Sequence, residues 1–281
     1  IGANTAVGYN AGTLMTTGIQ NTLIGAEAGD ALTIGNYNVA VGKDALSTSV
    51  DGDHNTAVGY NALEDYEGAD GEGGNTAIGS RSQLNASTGT NNTSVGNISF
   101  GTGVLTGTGN VAVGYATGNQ LTAGAKNTLL GGSAGESLTI GNSNVAVGYE
   151  ALAVSVDGDY NTAVGHQALQ DYEDGDGNGH NTAVGNRSQL NATTGEFNTS
   201  VGSLSMGAGV TTGDNNVVVG YTAGQDLTSG ASNVLLGKGA GTALTTGSYN
   251  IAVGQSALGS EDGHGRNVAI GYAALNQLNA G

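Results

Sequence analysis

The chain has 281 residues, 53 of them glycine, with no proline, cysteine or tryptophan, and six basic side chains stand against 23 acidic ones for a net charge of −17. Without a basic stripe it offers no nucleic-acid surface. Without cysteine it has no disulfide framework or thiolate metal site, and without an apolar run longer than a few residues it does not insert into a membrane.

The first element begins at Asn4-Thr5-Ala6-Val7-Gly8, and the same word returns with Asn at 21, 38, 55, 75, 92, 110, 127, 144, 161, 181, 198, 216, 233, 250 and 267. The usual step is 17 residues, with two steps of 18 and two of 20. A fixed period of this size predicts a solenoid in which each repeat is one coil. We therefore expect an all-β fold, a parallel β-solenoid or β-roll of about 17 residues per coil. A longer period of 106 residues lies above the short one. It divides a single continuous domain, 1–281, into six-coil units at 4–109 and 110–215 and an incomplete one at 216–281. Ser49-Val50-Asp51-Gly52-Asp53, for example, returns as Ser155-Val156-Asp157-Gly158-Asp159. With Ile1 at its start and no polar capping coil at either end, the chain is expected to be a window on a longer polypeptide.

With Asn as position zero, the word alternates with the period of a strand. Position +1 is β-branched in all sixteen copies, nine of them Thr, and +3 is always Val, Ile or Leu. These two rows are expected to face the coil interior. Position +2 is mostly Ala, with Leu23, Leu129, Val218 and Leu235. On that assignment it points outward, and so apolar a face predicts burial by other copies of the chain. Gly at +4 marks a tight corner in every copy, +7 is always small, and a second Gly recurs near +14. The Asn row itself is expected to form a hydrogen-bonded ladder.

The segment Asn55-Thr56-Ala57-Val58-Gly59-Tyr60-Asn61-Ala62-Leu63 resembles repeats in the heads of YadA-type trimeric autotransporter adhesins. It is also similar to Asn-Thr-Ala-Val-Gly repeats of phage tail-fibre proteins. The resemblance covers essentially the whole chain. It implies a homotrimer placed outside the cell, on a cell surface or a virion, that meets a cell-surface or glycan receptor. The 17-residue step departs from the shorter adhesin repeat, so extra loop residues must be accommodated.

The 20-residue coils carry acidic insertions. In the second, Asp174, Asp176 and Asn178 have the i, i+2, i+4 spacing of a calcium loop, although Gly185 stands where the late bidentate Glu belongs. Calcium is the one cofactor this suggests, and a solvated acidic bulge is the competing reading. The first insertion offers Gly68, Asp70 and Glu72 at the same offsets. No catalytic residue is proposed: His54, His166, His180 and His264 do not recur with a Ser or carboxylate partner. A partial Tyr row at +5 (Tyr9, Tyr60, Tyr115, Tyr149, Tyr221, Tyr272) is expected to serve packing or interchain contact, with glycan binding the rival. The sequence thus predicts a non-catalytic structural or adhesive fibre segment. Its alternatives are a self-assembling extracellular filament and an ice-binding solenoid, the last to be ranked first if an outward Thr row goes with thermal hysteresis in solution.

Overall fold

The computed structural model describes residues 2–68, 72–173, 179–260 and 263–277. Contacts divide the chain into two compact units, residues 1–142 and 143–281. Each is an all-β parallel solenoid with about 17 residues per coil. The first holds β1 (Thr5–Val7), β2 (Thr22–Ile24), β3 (Val39–Val41), β4 (Thr56–Val58), β5 (Thr76–Ile78), β6 (Thr93–Val95), β7 (Val111–Val113) and β8 (Thr128–Leu130). The second holds β9 (Val145–Val147), β10 (Thr162–Val164), β11 (Thr182–Val184), β12 (Thr199–Val201), β13 (Val217–Val219), β14 (Val234–Leu236), β15 (Ile251–Val253) and β16 (Val268–Ile270). Within each unit the strands pair in parallel, residue for residue, with their neighbours in sequence. The long steps keep the phase: Thr56 lies beside Thr76, and Thr162 beside Thr182.

The Asn row is the ladder the sequence suggests. Asn38 donates its backbone N–H to Asn21 Oδ1 at 2.9 Å and its Nδ2 to the same oxygen at 3.1 Å. Its Nδ2 also reaches Gly52 O, across its own coil, at 2.7 Å, and its Oδ1 accepts from the Asn55 backbone N–H at 2.9 Å. One side chain therefore closes its own coil and joins it to the coils on either side. The row is fully buried from Asn38 through Asn250, so each bond is made without competition from water. At Gly42, φ is +137°, and a Cβ would come within 2.3 Å of Gly59 O in the next coil. Any side chain at this corner would push adjacent coils apart, which accounts for Gly in every copy.

The interior corrects the predicted strand polarity. Position +2 is the buried one: Leu23, Ala40, Ala57, Leu129, Val218 and Leu235 have no exposed surface. Positions +1 and +3 flank it on the outside, half-buried or exposed. The coil is too narrow for two opposed rows of β-branched side chains. It closes on Ala or Leu at +2, small residues at +7 such as Ala45 and Ser82, and +8 residues such as Leu46 and Phe100. Positions +6 and +8 are both left-handed, as at Asp44 (φ 57°) and Leu46 (φ 55°). That pair of reversals turns the chain sharply behind the strand. The assignment of Leu23, Leu129 and Leu235 to an interface between chains fails for the same reason: they fill their own coils.

The interior residues also exchange size. Where +2 is Leu, +8 is Gly, as in Leu129 with Gly135; where +2 is Ala, +8 is usually large, as in Ala57 with Leu63. A polar version occurs in the middle of each unit. Gln83 Nε2 donates to Ser94 Oγ at 3.1 Å and to Thr76 O at 2.9 Å, and Ser188 bonds Ser200 at 2.8 Å.

Candidate functional site

The inverted polarity places two regular rows on the outside of each sheet. In the first unit the +1 row reads Thr5, Thr22, Val39, Thr56, Thr76, Thr93, Val111, Thr128, and the +3 row beside it is Val, Ile or Leu throughout. In the second unit Thr recurs at 162, 182 and 199, with Val or Ile at the other +1 positions. No carboxylate occurs anywhere from the position before Asn through +5; all 23 lie between +6 and +16 or in the insertions. Each strand face is therefore uncharged and largely apolar, while the remaining surface carries the negative charge.

Rings flank these faces. The +5 tyrosines are exposed, Tyr9 and Tyr272 most of all, so they do not pack into their own coil. Tyr149 stacks on His166 (5.7 Å between centroids, 18° between planes), and Lys43 Nζ lies 5.9 Å from the Tyr60 ring centroid. On the other flank the residue just before Asn is left-handed, as at Tyr37 (φ 60°), His54 (57°), His180 (54°) and Phe197 (56°). Tyr37 stacks on His54 at 4.8 Å, Tyr160 on His180 at 4.8 Å, and His180 on Phe197 at 5.0 Å, with planes within 10° of parallel. The coil spacing of a parallel sheet is close to the thickness of an offset ring pair, so rings one coil apart stack without adjustment. This second row was missed in the sequence. Its signal was the recurrence of Tyr, His and Phe one residue before the repeat word.

The carboxylates form local sets. Lys43 bridges Glu27 (3.6 Å) and Asp44 (2.5 Å), and the hydrogen bond it donates to Asp44 holds the Lys43 ammonium above its ordinary range. Burial raises the Glu64 carboxyl, with Asp65 and Asp44 adding to the shift, and burial with nearby Glu173 raises Asp171. A hydrogen bond from Gln167 at 2.7 Å lowers Glu150. Within the first insertion Tyr66 is fully buried and its hydroxyl has no partner among the described residues. Burial, then the charges of Glu72 and Asp53, push its phenol up to about 12.

The predicted calcium ligands Asp174, Asp176 and Asn178 lie outside the described residues, as does Asp70 of the first insertion. Among the described residues no three His, Cys, Asp or Glu side chains come together as a metal set. Of the four histidines, three stack on rings as above, and the His264 carbonyl takes the place of the +14 Gly by accepting from Asn250 Nδ2 at 3.0 Å. Compared with known proteins, the sequence matches no family and no curated protein.

Proposed function

We propose that this chain is a non-catalytic structural segment of an extracellular fibre, on a cell surface or a virion. It assembles from three copies packed through their strand faces. Such a fibre holds a binding tip away from a surface or adheres along its length to a cell-surface or glycan receptor. The observation that carries the reading is the outward, in-register, uncharged strand face beside a surface of predominantly negative charge. An uncovered sheet face rich in Val and Ile is costly in water. The acidic remainder repels its like, so copies can approach closely only through the strand faces. Three as the number rests on the resemblance to trimeric adhesins. Light scattering tests it: a mass of three chains is expected, and a monomer at working concentration overturns the assembly.

The outward Thr row favours a second reading, ice binding, since regularly spaced hydroxyls and methyls on a flat sheet can order water. Only nine of the sixteen +1 positions are Thr and the +3 row has no hydroxyl, which ranks it below the fibre. A monomer that shows thermal hysteresis would reverse that order.

A further inference from the structure

From the 20-residue coils onward the two units differ at two places in the ring row, where Gly74 and Asn91 of the first stand against His180 and Phe197 of the second. Gly74 stands where the second unit has His180, because both precede the Asn that ends a 20-residue step. The backbones around them match. Gly74 N–H donates to Asp53 O at 3.1 Å as His180 N–H donates to Asp159 O at 3.2 Å, and Asn91 N–H donates to Gly73 O at 3.0 Å as Phe197 N–H donates to Gly179 O at 3.1 Å. Both residues are left-handed, Gly74 at φ +70° and His180 at 54°. In the second unit the His180 ring fills the row between Tyr160 and Phe197. In the first, the row runs from Tyr37 to His54 and stops, and a hollow of about 380 Å³ opens there, lined by Asp53, His54, Glu72, Gly74, Thr90 and Asn91.

The lining side chains, apart from the imidazole and the Asn91 amide N–H₂, present oxygen acceptors. Asp53 Oδ1 takes the Asn36 N–H at 2.6 Å and Asn36 Nδ2 at 3.3 Å, while its Oδ2 accepts nothing from the described residues. The Glu72 carboxylate is exposed at the rim, and Thr90 Oγ1 receives only a long bond, 3.4 Å, from Asn91 Nδ2. No lysine or arginine lines the hollow. Its base is a ring face, its walls are anionic, and it occupies a position that a flat ring occupies in the equivalent coil.

We propose that the gap over Gly74 is a binding site for a planar, delocalised cation of the guanidinium class, stacked on His54 with its N–H groups on Asp53 and Glu72. A guanidinium fits because it stacks on a ring face and offers several coplanar donors, which a compact ammonium does not. The group can belong to a free small molecule or to an arginine of a partner, and both forms serve as probes.

The experiment is an NMR titration of the full chain with methylguanidinium, following the His54 ring and the Thr90 methyl group. A second arm uses a Gly-Arg-Gly peptide, and methylammonium is the control of equal charge. Saturable shifts at both residues are expected with methylguanidinium. Tighter binding of the peptide would mark the source as a protein arginine, and equal binding would mark it as the free group. Gly74→His should fill the gap as His180 does and weaken binding by about tenfold or more. The left-handed backbone tolerates His, and exposed Asn91, whose Oδ1 lies 2.7 Å from the Cβ such a residue would carry, can turn aside. If circular dichroism shows that variant misfolded, His54→Ala, followed at Thr90, removes the stacking face instead and should weaken binding equally. Shifts of equal size with methylammonium, no saturation, or undiminished binding in a folded variant would overturn the site.

Discussion

Leu235 fills the space that a side chain on Gly241 would need: a Cβ built on Gly241 would stand 2.9 Å from Leu235 Cδ2 and 3.0 Å from Cδ1. One coil later the sizes are reversed, with Ala252 at +2 and Leu258 at +8, both fully buried. The narrow interior thus holds one large side chain at a time, contributed from either wall. Leu235→Ala should cost about 2–5 kcal/mol as a buried truncation, and Gly241→Leu alone should overpack and destabilise. The double variant should recover at least about 1 kcal/mol over additivity, because it recreates the Ala252–Leu258 arrangement. Urea unfolding of the four proteins in the cycle measures this. Additive losses would show that the two walls do not share one space.

Leu129→Asp and Val113→Asp should separate the two faces of the strand. Leu129 is fully buried inside its own coil, whereas Val113, at +3 of β7, is about two-fifths exposed. A carboxylate at 129 has no partner in the interior and should cost several kcal/mol, lost as structure. At 113 it should leave the circular dichroism unchanged but lower the mass seen by light scattering if the strand faces hold the copies together. A folded Leu129→Asp protein of reduced mass would restore the original outward assignment of +2.

The repeat, the parallel register, the Asn ladder and the Gly corners were all legible because each rests on one residue type at one phase. Strand polarity was not. Val7 and Val58 are more hydrophobic than Ala6 and Ala57, so burial was assigned by hydrophobicity. Packing volume decides instead: the coil interior admits a methyl or one Leu and has no room for paired β-branched rows. The reciprocal sizes at +2 and +8, visible in Leu23 with Gly29 and Ala40 with Leu46, were the signal that both rows share a core. The ring row was legible as composition, but its stacking depends on left-handed backbone at Tyr37 and His54, which the residue types do not announce.

The ladder should be strongest where every Asn atom is used. Asn233 accepts from the Asn250 backbone (2.9 Å) and Nδ2 (3.1 Å), and it donates to Asn216 Oδ1 (3.0 Å) and Gly247 O (2.9 Å). Asn55 accepts from the Asn75 backbone at 3.1 Å, but its buried Nδ2 has no partner among the described residues. Removing a side chain that leaves several buried groups unpaired costs more than removing one already half-unsatisfied. Asn233→Ala should therefore cost about 2–4 kcal/mol, and Asn55→Ala about half of that. Equal losses in urea unfolding would mean that the lateral bond to the +14 carbonyl contributes nothing.

Tyr66 should make the protein sensitive to alkali. Its phenol is fully buried without a hydrogen-bond partner among the described residues, and burial, with Glu72 and Asp53 nearby, pushes it from 10.0 to about 12. Between those values the unfolded chain has given up the proton while the native state still holds it. The native state then binds more protons, so stability falls as pH rises; the contribution is intact below about pH 10 and gone above about pH 12. The interval corresponds to roughly 2–3 kcal/mol. Tyr66→Phe removes both the titration and the unpartnered hydroxyl. It should match or exceed the parent by up to about 1 kcal/mol at neutral pH, and its advantage should widen across the alkaline range. Contributions common to the two proteins cancel in the difference. A constant difference between the two urea midpoints from neutral pH to pH 12 would show that the Tyr66 hydroxyl reaches water in the native coil.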